Sequence, residues 1–283
     1  MPVQLAVSTT ALRQTGAKNH LHKHDLDTPG RCVTYCEGPA DCADDHACIA
    51  GTCVPVVPCP GTEQEIVDVI AEGGGVFGCM VPPTVTTTTE IVIESDAILG
   101  SLEDLTIEGD GNHRVFRVLQ GVTVELLGLT ISEGGGVDYG GAIYNEGTLT
   151  LTDTKLSGNR ANIGGGAIYT EGTQTLYTYS GVFEENQSGT NGGAIYVNSG
   201  DVYIYRNSQF LNNTATENGG AFFVSSSSLL NLQESIVSGN HALEGNGGGI
   251  YADSVVSVPE RRLRVRRGAE ASRRRTQLPA HNG

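Results

Sequence analysis

Four tyrosines carry the most suggestive chemistry in the chain: Tyr177 with Tyr179, and Tyr203 with Tyr205. Each pair is separated by one residue, so within a β-strand both rings of a pair point to the same side. Aromatic rings exposed on a flat β-surface can stack on the faces of sugar rings, leaving the hydroxyl to hydrogen-bond. The acidic residues Glu133, Asp138, Glu146 and Glu171 fall in successive turns, where exposed oxygens suit weak Ca2+ binding. The competing reading of those four is a solvated acidic face. His20, His22 and His24 alternate, so an extended chain would set them on one side, as a metal ligand set or as part of a solvated tail. No cofactor follows from any of these patterns.

The elements that position such groups have to be short and numerous. Gly makes up 39 of 283 residues, about twice the usual share, which points to many tight turns. The formal net charge is −15 although the segment 259–283 is dense in Arg. A body that acidic repels nucleic acid and anionic membrane, so neither is an expected partner. No stretch of about 18 apolar residues exists, so no transmembrane helix is expected.

All seven Cys lie between Cys32 and Cys79. The spacing of Cys36, Cys42, Cys48 and Cys53 contains no CxxC pair, which favours disulfides over zinc. Disulfides imply an oxidising compartment. Cys59 and Cys79 are further candidates, flanking a predicted helix. That helix starts at the capping box Thr62-Glu63-Gln64-Glu65, carries Ile66, Val67, Val69 and Ile70, and stops at Gly73-Gly74-Gly75. Its expected job is to cover the open N-terminal end of a β-stack.

Two markers recur beyond residue 130. Gly140-Gly141-Ala142-Ile143-Tyr144 returns at Gly165, Gly192, Gly219 and, with a third Gly for Ala, at Gly247. Between these copies stand Leu156-Ser-Gly-Asn159, Phe183-Glu-Glu-Asn186, Phe210-Leu-Asn-Asn213 and Val237-Ser-Gly-Asn240, with Ile131 to Gly134 a degenerate forerunner. A unit this short cannot bury a core alone; stacked as a coil of a solenoid it pairs with its neighbours ~4.8 Å away. Leu156, Phe183, Phe210 and Val237 then form an apolar interior column. Asn159, Asn186, Asn213 and Asn240 form a ladder that satisfies the backbone of the turns. The predicted fold is all-β, a parallel β-helix over 61–258. A disordered segment 1–30 and a Cys-rich disulfide module 31–60 precede it. Counted back from the ladder, the two tyrosine pairs differ in parity, so strict register puts them on opposite faces and a one-residue bulge would reunite them.

The alternation of GGA(I/F)(Y/F) with FxxN resembles the repeats of chlamydial-type polymorphic outer membrane proteins. Leu105 to Asn112, Arg114 to Arg117 and Leu127 to Ile131 resemble early coils of the right-handed β-helix proteins of the pectin-lyase-like superfamily. The resemblance implies a right-handed parallel β-helix and a place outside the cell or on its surface. It does not imply one activity, because that superfamily hosts lyases, hydrolases and adhesins. The Asn-Thr-Asp, Asp-Asp, Gly-His-Gly and Arg-Ile-Lys segments of β-helix polygalacturonases are missing from the coils; Asp44-Asp45 lies in the Cys-rich module. The clustered carboxylates and paired base of pectate lyases are not apparent either, so no catalytic residue is assigned.

The two ends fit less well. Residues 1–24 lack the apolar run of an export leader, which a misplaced start or a missing upstream segment would reconcile with the cysteines. The Arg-rich tail 259–283 lacks every repeat marker and reads as unstructured or as a reading-frame artefact. The last coil then has no cap, and its open edge invites self-association. The expected function is adhesion or ligand display without catalysis, toward a carbohydrate or a cell-surface protein. The alternatives are a polysaccharide-active enzyme and a structural stalk or fragment of a larger surface protein.

Overall fold

The computed structural model describes residues 42–43, 45–49 and 51–257, and the backbone of the strand Arg264–Arg266. The segment 1–30, its three histidines, and Cys36 lie outside the described residues. The chain divides into two compact units, Met1–Cys53 and Val54–Gly283. In the first, Cys42 is bonded to Cys53, and Cys48 is also disulfide-bonded.

The second unit is a parallel β-helix. One representative coil runs through Ile143–Asn145, Thr148–Thr152, Lys155–Ser157 and Arg160–Gly164, then enters the next coil at Ile168–Thr170. Each strand pairs in parallel with its equivalents one coil before and after. The column Ile91, Phe116, Ile143, Ile168, Ile195, Phe222, Ile250 counts seven rungs. Along most strands buried and outward residues alternate, and the inward ones fill a single core. The interior column that holds Phe183 and Phe210 runs Val85, Ile107, Ile131, Leu156, Phe183, Phe210, Val237. The two phenylalanine rings stack at 4.5 Å.

The Gly-Gly pairs turn the corner into each new coil. Their first members have φ between 60° and 68°, and a Cβ there would meet the carbonyl oxygen three residues on. At the second members of the four Gly-Gly-Ala pairs a Cβ would strike backbone of the coil that follows, so neither glycine can carry a side chain. Positive φ at Asp153, Ser180, Asn207 and Glu234 turns the corner between the second and third strands of successive coils.

Helix Glu63–Ala71 has the full capping box, with Thr62 Oγ1 accepting from Glu65 N–H and Glu65 reaching back to Thr62 N–H. It buries Ile66 and Ile70 on the core, and Cys59–Cys79 closes the loop that contains it. The coil region reaches beyond its expected limits at both ends. Val56–Pro58 pairs in parallel with Val76–Gly78, ahead of residue 61. Beyond 258, Arg264–Arg266 pairs with Ile236–Ser238, so a piece of the tail continues the column of third strands. Both stretches lack the Gly-Gly and Asn markers, and main-chain pairing does not need those markers.

Candidate functional site

The four asparagines of the ladder are buried and joined coil to coil. Asn186 Oδ1 accepts from the backbone N–H and the side-chain amide of Asn159, at 3.1 and 3.0 Å. The Asn186 amide in turn donates to Asn213 Oδ1 and to the carbonyl of Leu156. Asn213 and Asn240 repeat the pattern, and Gly134 N–H donates to Asn159 Oδ1 at the first rung. Each amide thus ties together neighbouring coils and satisfies corner backbone that water cannot reach. This machinery holds the frame.

The tyrosines stand on the outer face of the sheet formed by the second strands. Thr175–Tyr179 pairs with Gly200–Tyr205 so that Tyr177 faces Tyr203 and Tyr179 faces Tyr205. The two pairs share one side, which corrects the strict-register expectation of opposite sides. The physical reason lies in the corners and not in a bulge. Ile168 to Thr175 spans seven residues where Ile195 to Asp201 spans six. The following corner makes up the difference, with Ser180 alone at positive φ in one coil and both Arg206 and Asn207 in the next. The coil length stays at 27 while the strand shifts by one.

The result is a two-by-two array of half-buried rings. Tyr177 and Tyr203 stack at 5.5 Å, Tyr179 and Tyr205 at 5.3 Å, and Tyr203 lies 6.2 Å from Tyr205. In each of these three pairs the ring planes lie within 20° of each other. The Arg206 guanidinium sits over the Tyr179 ring at 5.5 Å. Burial and the neighbouring phenols push the Tyr205 hydroxyl above its ordinary pKa, so it stays protonated and able to donate. The rings stack on one another from coil to coil and make an outward aromatic patch that spans two coils.

Two features escaped the sequence reading. The Tyr of each Gly-Gly-Ala-Ile-Tyr copy points outward and builds a second aromatic stack, Tyr144, Tyr169, Tyr196, Phe223, Tyr251, at 4.6–5.3 Å between rings. These rings are spoken for. Tyr144 and Tyr169 donate to Glu171, Arg114 and Arg117 cover Tyr144, and Gly164 has no side chain so that Tyr196 can pack against it. Burial first, and then Glu171, raise both phenols well above their usual range. The other feature is a second amide ladder. Asn218 donates from its backbone and side chain to Asn191 Oδ1, and Asn246 N–H donates to Asn218 Oδ1. Its signal was an Asn directly before Gly-Gly in the last three copies.

The acidic residues considered for Ca2+ are dispersed. Glu146 pairs with Arg117, Glu171 holds the two tyrosines, and Asp138 accepts from Asn162. Among the described residues no three His, Cys, Asp or Glu side chains group as a metal site, and no helix is long and apolar enough to cross a membrane.

The Chlamydia polymorphic membrane protein (Chlamydia_PMP) repeat matches the chain four times, at residues 153–171, 180–198, 207–225 and 234–253. Each matched repeat starts at one of the positive-φ corner residues Asp153, Ser180, Asn207 and Glu234. Each contains one ladder Asn and one Gly-Gly corner, so the repeat is a structural unit of this solenoid. No curated protein and no solved structure matches the chain.

Proposed function

We propose that this four-repeat β-helix is an exported surface protein that presents its tyrosine face for adhesion to carbohydrate, without catalysing a reaction. The supporting observation is the array itself: four tyrosine rings gathered outward on one sheet across two adjacent coils. Two supports bear on location. The matched repeat is named for membrane proteins, and the disulfides of the N-terminal region belong in an oxidising compartment. The Asn ladders bond to one another and to corner backbone inside the frame, which leaves the outer face for display.

A glycan array probed with the intact chain and with Tyr177→Ala/Tyr203→Ala tests this. The wild type is expected to bind a defined subset of glycans, and the double variant to lose at least tenfold in apparent affinity at an unchanged circular-dichroism spectrum. The chain has no Trp, so tyrosine fluorescence reports the same binding in solution. Equal binding by both proteins, or turnover of an array-positive polysaccharide, overturns the proposal in favour of another surface or an enzyme.

A further inference from the structure

The columns that carry the tyrosines continue toward the N-terminal coils. One reads Glu125, Thr150, Tyr177, Tyr203, each residue paired with the next. Beside it run Leu127, Thr152, Tyr179 and Tyr205. Neither column contains a Lys, Arg or His; the cation nearest the rings, Arg206, sits in the corner over Tyr179.

At its Glu125 end the face dips into a shallow cleft lined by Gly73, Asp96, Ile98, Thr123, Glu125 and Thr150 among others. The lining has two carboxylates and no cation. Asp96 is fixed by the Thr123 N–H at 2.7 Å, and Glu125 accepts from Thr152 Oγ1 at 3.4 Å. Glu125 is half-buried; burial pushes its carboxyl above the ordinary range, against the opposing effect of the Thr152 hydroxyl.

Taking the tyrosines as a sugar platform, we infer that cleft and platform form one continuous site for an extended, uncharged oligosaccharide lying along the helix axis. Glu125 would be the specificity-determining residue. From the Glu125 coil to the Tyr203 coil are three coil steps, ~14 Å at the spacing of paired strands. That length accommodates an oligomer of roughly four sugars laid across successive coils. Its apolar ring faces meet the tyrosines, and its hydroxyls meet Thr150, Thr152 and the Glu125 carboxylate. A carboxylate is an acceptor alone and suits sugar hydroxyls, which donate. The same group, with Asp96 beside it, repels a uronate or other acidic sugar, and no cation in the cleft offsets that repulsion.

Binding of cellohexaose, cellobiose and hexagalacturonate to the intact chain tests this, with Glu125→Gln and Tyr177→Ala/Tyr203→Ala beside the wild type. Cellohexaose is expected to bind at least tenfold tighter than cellobiose, and hexagalacturonate not at all. Glu125→Gln, near-isosteric and folded by circular dichroism, is expected to weaken cellohexaose about tenfold while leaving cellobiose unchanged. Cellobiose binding as tightly as cellohexaose, an unaffected Glu125→Gln, or preferred binding of hexagalacturonate overturns the extended uncharged site. The platform reading survives those results if the tyrosine variant still loses binding. Binding by neither neutral sugar overturns the extended site, and if the array is silent as well, the platform reading falls with it.

Discussion

Replacing Asn186 with Ala removes one rung of the buried ladder, and the structure sets the size of the loss. Asn186 Oδ1 is the acceptor for two donors of Asn159, its main-chain N–H and one side-chain N–H. Both are buried, and the substitution leaves both without a partner. At ~1–3 kcal/mol for each orphaned donor, Asn186→Ala should destabilise the chain by about 2–6 kcal/mol. Asn159→Ala is the internal control. Its Oδ1 serves one donor, Gly134 N–H, so its loss should be about 1–3 kcal/mol. Asn186→Asp keeps the acceptor but sets a second oxygen against Leu156 O and Asn213 Oδ1, and should be no better than Ala. Urea unfolding followed by far-ultraviolet circular dichroism gives the ranking. Hydrogen exchange supplies the local readout, because the Asn159 amide should lose protection in Asn186→Ala and keep it in a distant variant. A loss in Asn186→Ala no larger than in Asn159→Ala, or an Asn159 amide still fully protected, would refute the ladder as the joint between coils.

Two further substitutions probe the same frame. Thr178 is fully buried between Leu151 and Ile204, and its hydroxyl has no hydrogen-bond partner. Thr178→Val, of nearly the same shape, should therefore raise stability by about 1 kcal/mol in urea melts, where a true hydrogen bond at this site would make it fall. Removing the Cys59–Cys79 bridge by Cys59→Ser/Cys79→Ser frees the loop that holds the capping helix, a separation of 20 residues. The chain-entropy estimate for that loop is about 3 kcal/mol, to be read as a shift of the unfolding midpoint under non-reducing conditions.

The fold was legible where the coils write the same residue at the same corner. A Gly that must sit at positive φ, and an Asn that must bridge two coils, tolerate few replacements, so Gly165, Gly192 and Gly219, with Asn186 and Asn213, announce the period directly. The earlier coils were harder to read. In the interior columns Ile91, Phe116 and Ile143, or Ile107, Ile131 and Leu156, any apolar side chain of suitable volume serves, and no marker repeats. The second ladder was half visible, because its Asn precedes Gly-Gly at 191, 218 and 246 but not at Gly140 or Gly165. The tyrosine face was misjudged by one residue. Parity counted from Asn186 and Asn213 crosses the corner at Arg206-Asn207, where the extra residue lies, so the count fails although the coil period is intact. Nor could residue types alone separate the tyrosines engaged in packing, such as Tyr144 and Tyr169, from those on the open face. That difference depends on Glu171, which holds both hydroxyls, and on Arg114 lying over Tyr144 from a neighbouring coil.

Tyrosine-ring resonances followed by NMR while cellohexaose is added address the working face most directly. The rings of Tyr177, Tyr179, Tyr203 and Tyr205 should shift together and saturably, while those of Tyr144, Tyr169 and Tyr196 on the other sheet stay in place. Shifts confined to the second set, or spread evenly over both, would contradict the assignment of the outer tyrosine sheet as the binding surface.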